Sequence, residues 1–164
     1  MKHLKGMSLL EILVVVSIFA VLGVITTRAV LLTLQGSKKS ESLVRVRENL
    51  NFALGTVERQ IRNADSVTEC PNPDANLITY ADARGDASTF SCVNIGSDDG
   101  YIASASARLT SDTVNVTTCS FVCAVGSSLN PPSVTITMEA TDKSATGIQG
   151  SSVSTTTQIY LRNY

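Results

Sequence analysis

Residues 7–34 read MSLLEILVVVSIFAVLGVITTRAVLLTL, an apolar run that decides the fold of the amino-terminal fifth of the chain. Between Leu9 and Leu34 only Glu11 and Arg28 carry charge. As a helix this segment is about 39 Å long at about 1.5 Å per residue. The segment is therefore long enough to cross a hydrocarbon core about 30 Å thick. The sequence predicts one membrane-spanning helix.

A short polar head, residues 1–6, precedes the apolar run. In an ordinary secretory signal the cleavage site follows the apolar region, which the mature protein then lacks. Here the small residue Gly6 stands at the polarity break before the run, so a cut after Gly6 leaves the apolar helix on the mature chain. Lys2 and Lys5 favour a cytoplasmic amino terminus. The alternative from these features alone is an uncleaved membrane anchor.

Residues 6–11 read GMSLLE, and with the hydrophobic stretch that follows they resemble the amino terminus of type IV prepilins and type II secretion pseudopilins. The resemblance implies that a membrane-bound prepilin peptidase cuts between Gly6 and Met7 and N-methylates Met7. The family usually has Phe where Met7 stands and Thr where Ser8 stands, and both replacements keep size and polarity.

The resemblance implies an α+β, pilin-like fold, in which a long amino-terminal helix packs on a carboxy-terminal antiparallel β-sheet. We expect a leader peptide at 1–6, a transmembrane and filament-core helix at 7–35, an amphipathic helix of the head at 36–65, and a disulfide-containing β head at 66–164. Residues 54–64 also resemble the corresponding segment of minor pilins and minor pseudopilins.

The function that this resemblance implies is structural. The chain is expected to be a minor pilin or minor pseudopilin, held in the cytoplasmic membrane with its head outside the cytoplasm. The implied partners are the prepilin peptidase, other pilins or pseudopilins, an inner-membrane assembly platform and membrane lipids. The alternative is a signal-anchored envelope binding module that does not polymerise.

Glu11 is a carboxylate inside the apolar segment. Ionisable residues within membrane segments are rare and usually have a role. Cleavage after Gly6 leaves a positive amine at a helix start, where the helix dipole disfavours positive charge. A Glu11 side chain from a neighbouring, staggered subunit can neutralise that amine. Such a head-to-tail contact need not close, so it generates a helical filament, and we assign Glu11 to assembly.

A second helical pattern follows Gly36. Apolar residues recur at spacings of three and four with charged residues mostly on the other face, which is typical of an amphipathic helix. They are Leu43, Val46, Leu50, Ala53, Leu54, Val57 and Ile61. The two patterns together predict one helix from Met7 to about Ala64.

Short strands are predicted after Pro71 and Pro73, which cannot continue a helix. The segments between Gly, Asp and Ser turns suit one antiparallel sheet with one face on the helix and the other in water. The candidates are Leu77–Tyr80, Thr89–Ile95, Tyr101–Leu109, Val114–Val122, Val134–Glu139 and Val153–Leu161.

Four cysteines, Cys70, Cys92, Cys119 and Cys123, lie in the predicted head. Export to an oxidising compartment favours their pairing, and four cysteines allow three connectivities. In a continuous strand Cys119 and Cys123 are about 13 Å apart, beyond the roughly 7 Å that a disulfide tolerates, so their pairing needs a turn between them. We predict Cys70 with Cys92 and Cys119 with Cys123.

Composition argues against several other functions. From Ser66 onward four Lys and Arg face nine Asp and Glu, so the head lacks the basic stripe of a nucleic-acid binder. The only histidine, His3, lies in the leader and the chain has no C-x-x-C pair, so neither a zinc site nor a cofactor is expected. Because no set of residues that could form a catalytic site remains after loss of the leader, we do not expect an enzyme.

Asp98-Asp99-Gly100 is typical of a turn and lacks the spaced ligands of a calcium loop.

Overall fold

The computed structural model describes residues 8–70, 76–126, 130–145 and 150–161. By contact density the chain forms two compact units, Met1–Lys38 and Lys39–Tyr164. One helix, α1 (Leu9–Arg62), contributes to both units, and all described strands lie in the second. The chain is therefore α+β, as its sequence predicts.

The part of α1 in the first unit is regular. Gly23 and Gly36 are the residues of this part at which a bend or local melting is easiest, because glycine weakens a helix and the chain has no proline before residue 71. The helix runs through both glycines without interruption.

At the far end of α1, in the second unit, Arg59 and Arg62 occupy the last turn, where positive charge favourably meets the negative end of the helix dipole.

The part of α1 in the second unit buries one face. The predicted apolar stripe is the buried one, since Val46, Leu50, Ala53, Leu54, Val57 and Ile61 are all buried. These side chains join one hydrophobic core with residues of both sheets. The largest fully buried members from the strands are Phe90, Phe121, Ile78, Ile102, Ile136, Met138 and Ile159.

In the described part of the chain eight strands form two antiparallel sheets, where the sequence predicted one. Sheet A has the order β1-β2-β3-β4-β5 and sheet B the order β6-β7-β8. The strands are β1 (Ser66–Glu69), β2 (Leu77–Ala81), β3 (Ala87–Val93), β4 (Tyr101–Ser104), β5 (Ala107–Arg108), β6 (Val114–Ala124), β7 (Ser133–Asp142) and β8 (Ser152–Tyr160). Both sheets are meanders in which each strand pairs with its neighbours in sequence.

Backbone conformation explains where the predicted strands differ from the observed ones. Ala105 has a φ of 51° and divides the predicted strand Tyr101–Leu109 into β4 and β5, which pair with each other. Asn94 has a φ of 54° and ends β3 before Ile95. Strand β1 was not predicted, because its mostly exposed residues show no apolar alternation.

The disulfide pairing predicted from the sequence is wrong. The bridges are Cys70–Cys123 and Cys92–Cys119, with Cα–Cα distances of 6.1 and 5.9 Å. Cys119 and Cys123 both lie within β6, which is extended from Val114 to Ala124. No turn separates them, so the strand itself prevents their pairing. Cys92–Cys119 instead links β3 of sheet A to β6 of sheet B, and Cys70–Cys123 links the residue after β1 to the end of β6.

Candidate functional site: the exposed apolar helix

The first unit presents an apolar surface on every side of α1. Each residue from Ser8 to Ser40 is exposed, and the exposed fraction is 82% at Leu9, 70% at Phe19 and still 40% at Val15. A helix that is apolar all round belongs in a membrane or in the core of a large protein. This helix is long and apolar enough to cross a membrane, and no part of its apolar segment is buried within the protein.

The hydroxyl groups of this segment are hydrogen-bonded within the helix. Ser17 Oγ donates to the carbonyl of Leu13 at 2.9 Å, and Thr27 Oγ1 donates to that of Gly23 at 2.8 Å. Thr26 and Thr33 make equivalent bonds to the carbonyls four residues before them. A polar group that bonds within its own helix does not need water. The four hydroxyls therefore do not oppose insertion into lipid, a property that spacing alone did not reveal.

Glu11 lies in the first turn of α1. Its amide donates to the carbonyl of Ser8 at 3.0 Å, so the residue is fixed in the helix, and a carboxylate there is favoured by the helix dipole. Over the described part of the chain, neither Glu11 nor Arg28 takes part in an ion pair. Arg28 lies about 26 Å further along the helix. The carboxylate is thus free to meet a charge on another molecule.

Gly6 and Met7, the predicted cleavage and methylation positions, lie outside the described residues. The cleavage and methylation predictions therefore remain predictions from sequence. All four predicted disulfide cysteines, in contrast, are described and paired.

In the second unit the charged side chains around Asp99 are occupied with one another. Asp99 Oδ1 accepts hydrogen bonds from Lys143 Nζ at 2.5 Å and from Arg108 Nη1 at 3.2 Å, and these lower the pKa of the Asp99 carboxyl, Lys143 first and Arg108 second. Arg108 also reaches Asp112 at 3.1 Å and lies over the ring of Tyr101, 4.5 Å from its centroid.

In the Asp98-Asp99-Gly100 turn the Asp99 carboxylate is therefore engaged in ion pairs with Arg108 and Lys143 of the same unit. Among the residues that the structure describes, no group of three or more His, Cys, Asp or Glu side chains could hold a metal ion. In the first unit the features that can act on another molecule are the apolar surface and the carboxylate of α1. Comparison of the chain with protein-family models, curated proteins and solved structures gives no match.

Proposed function

We propose that this chain is a structural subunit of a filament, a minor pilin or minor pseudopilin of a type IV pilus or a type II secretion filament. Prepilin peptidase removes residues 1–6 and N-methylates Met7. The apolar part of α1 then holds the subunit in the cytoplasmic membrane, with the head outside the cytoplasm. Assembly transfers the same helix from lipid to the packed helices of neighbouring pilins or pseudopilins, with the help of an inner-membrane assembly platform.

The observation that carries the proposal is the exposed apolar helix with Glu11 in its first turn. The polar residues 1–6 precede this helix in the sequence and are the segment that the proposal has the peptidase remove. A membrane anchor needs only apolar length. A filament subunit needs in addition a helix that keeps its apolar surface after cleavage and a charge that directs packing between copies. Residues 6–34 provide both.

Glu11 supplies the directing charge in this proposal. In the proposed mature chain a helix continued to Met7 would separate the Met7 amine and the Glu11 carboxylate by about 6 Å along its axis. A neighbouring helix displaced axially by about that distance brings its own Met7 amine beside Glu11. In lipid or in a dry helix bundle such a pair is screened less than in water. A copy out of this register lacks this pair between subunits, and its amine and carboxylate can meet only within their own chain.

The amino terminus recovered from the native membrane tests processing. Intact-mass and amino-terminal peptide analysis should give a chain that starts at N-methylated Met7. A chain that retains Met1–Gly6 would overturn the filament proposal, because the amine that pairs with Glu11 would not exist. The protein would then be a simple anchored envelope protein, for which a binding module is the alternative function.

Glu11→Gln tests assembly separately from processing. The substitution keeps shape and removes only the charge, so membrane insertion and cleavage should persist while recovery in sheared filaments falls. Glu48→Gln is the matched control, since Glu48 is an exposed carboxylate on the same helix but lies in its second half. Equal recovery of the E11Q and E48Q chains in filaments would refute the role of Glu11.

A further inference from the structure

The edges of the two sheets differ in how well they are protected. Among the described strands the edges are β1, β5, β6 and β8. Strand β1 has four residues, a register irregularity and Glu69, and β5 has only two residues. Strand β6 is tied to sheet A by the Cys92–Cys119 bridge. Short strands, bulges, charges and covering segments are the usual ways to prevent edge-to-edge pairing, and these three strands use them.

Strand β8, in contrast, is neither short nor charged nor bulged. It spans nine residues, Ser152–Tyr160, without a charge, a proline or a bulge. Its pairing with β7 is regular from one end to the other, and no described strand pairs with its other side.

The register identifies the backbone groups on the free side of β8. The Leu161 amide donates to the Pro132 carbonyl at 3.0 Å, one position beyond the pair Ser133 and Tyr160. Hydrogen-bonded and non-hydrogen-bonded pairs alternate along an antiparallel ladder. The amides and carbonyls on the free side therefore belong to Ser152, Ser154, Thr156, Gln158 and Tyr160. These five residues are also the exposed ones of the strand.

We propose that β8 is an interaction surface for a second copy of this chain, joined by antiparallel β8–β8 pairing centred on Thr156. The inference does not rest on the proposed function, because it concerns the head and not α1. A strand added at a free edge gains main-chain hydrogen bonds, the same means by which β-augmentation captures peptides.

The hydrogen bonds select this register. With Thr156 opposite Thr156 of the second copy, all five outward residues of both strands form pairs, which gives about ten hydrogen bonds at two per pair. Centring the pairing on Thr155 or Thr157 leaves four pairs and about eight bonds, and centring it on Ser154 or Gln158 leaves three pairs and about six bonds. No charge on either strand opposes the contact.

The side chains match in the same register. Val153 falls opposite Ile159 of the second copy, and Thr155 falls opposite Thr157, all on the face of sheet B that meets the core. The register thus aligns apolar positions with apolar ones and hydroxyls with hydroxyls, as in the cross-strand pairs that stabilise sheets. Val153, Thr155 and Thr157 are half-buried and can make new contacts, whereas Ile159 is already fully buried within its own head. Because β8 matches a second β8 residue by residue in this register, we infer that its partner is a second copy of the chain and not an unrelated peptide.

The symmetry of the contact separates it from assembly through α1. Its two-fold axis is perpendicular to sheet B, so the contact is isologous and closes after two copies. Such pairing yields one continuous six-stranded sheet from two three-stranded ones and does not propagate.

Site-directed cysteine cross-linking of the full chain in detergent tests the pairing. All four native cysteines are in disulfides, so a cysteine introduced on β8 is a unique free thiol. In the proposed register the two Thr156 Cα atoms are about 5.5 Å apart, within disulfide reach. The T156C chain should therefore convert mainly to a reducible dimer on mild oxidation.

Ser154→Cys is the matched control on the same edge and the same face. Two copies of Ser154 are about 14 Å apart in this register, so the S154C chain should stay mainly monomeric. Mixing the S154C and Q158C chains should restore the cross-link, and adding Thr156→Lys to both should abolish it. Equal dimer yields from the T156C and S154C chains, or a T156C cross-link only to a different polypeptide, would overturn the proposal.

Discussion

Arg45 and Asp142 fasten α1 to the carboxyl end of β7. Arg45 Nη1 lies 3.6 Å from Asp142 Oδ2, and the Asp142 side chain is 1% exposed against 37% for Arg45. Asp142 Oδ1 also accepts hydrogen bonds from the Ser144 amide at 2.8 Å and the Ser144 hydroxyl at 2.6 Å. A buried carboxylate is stable only with such partners, so this group fixes the position of the helix on sheet B.

Asp142→Asn should destabilise the head by about 1–3 kcal/mol, the cost of a buried polar group that loses a charged partner. The urea midpoint of the full chain in detergent measures this loss. Tyrosine fluorescence can report it, because the chain has four Tyr and no Trp. Asp112→Asn is the control, since Asp112 is 88% exposed in its ion pair with Arg108 and such pairs contribute at most about 1 kcal/mol. Equal midpoints for the two variants would contradict the assignment.

Acid should weaken the head through the same residue. Burial by itself raises the pKa of Asp142, but hydrogen bonds from Ser144 and the charge of Arg45 hold that pKa below its usual value. A carboxyl with a lowered folded-state pKa contributes stability that is fully present above the unfolded pKa of about 3.9. That contribution disappears as the pH falls through the folded-state pKa.

The melting temperature should therefore be nearly constant from neutral pH to about pH 5 and fall below about pH 4. Asp99, whose pKa is also lowered, adds to the fall. The difference in melting temperature between the wild type and the D142N chain should shrink over the same range. A difference that stays constant down to about pH 3 would show that Asp142 does not titrate as described.

Local patterns in the sequence predicted much of the fold. The stripe from Val46 to Ile61 identified the buried face of α1, since helical periodicity is set by the core that the helix covers. Most strands were found within a few residues, because β7, for example, alternates between buried and half-buried positions. These features depend on neighbours in sequence.

The features that sequence did not predict depend on contacts between distant segments. Nothing local divides the strands into two sheets, and nothing local shows that Cys70 meets Cys123 across a separation of 53 residues. Ala105 gave no sign of its positive φ, because alanine rarely adopts that conformation. At the candidate site, the sequence alone identified Glu11, because a carboxylate within an apolar run stands out. The hydrogen bonds of the Ser17 and Thr27 hydroxyls to carbonyls of the preceding turn became visible only in the structure.

The disulfides should stabilise the head to different degrees. The 27-residue loop of Cys92–Cys119 is nested in the 53-residue loop of Cys70–Cys123. In the chain-entropy picture, each loop closed without the other contributes about 3.6 and 4.2 kcal/mol respectively, and each contributes less when the other is already closed. Replacing both members of a bridge with Ser should lower the urea midpoint in either case, with the larger loss for Cys70 and Cys123. A larger loss for Cys92 and Cys119 would instead show that the link between the sheets matters more than loop length. Non-reducing peptide mapping should recover Cys70 with Cys123 and Cys92 with Cys119.

Two glycines in different surroundings should respond in opposite directions to alanine. Gly55 is an exposed residue of α1, and a Cβ added there meets no atom within 4 Å. Gly55→Ala should stabilise the chain by about 0.5–1 kcal/mol, because alanine restricts the unfolded chain and favours the helix. A Cβ added at Gly100 would lie 2.1 Å from the Val116 carbonyl oxygen, which is too close for any two atoms that are not bonded.

Gly100 must stay this close because it joins the start of β4 to β6. Its carbonyl accepts a hydrogen bond from the Val116 amide at 2.8 Å, and its amide donates to Asn115 Oδ1 at 2.7 Å. Gly100→Ala forces these backbones apart, at a cost of about 1–3 kcal/mol from overpacking and about 1 kcal/mol for each hydrogen bond lost. The urea midpoint should therefore rise for the G55A chain and fall for the G100A chain. An unchanged midpoint for the G100A chain would mean that β4 and β6 are not joined at this residue.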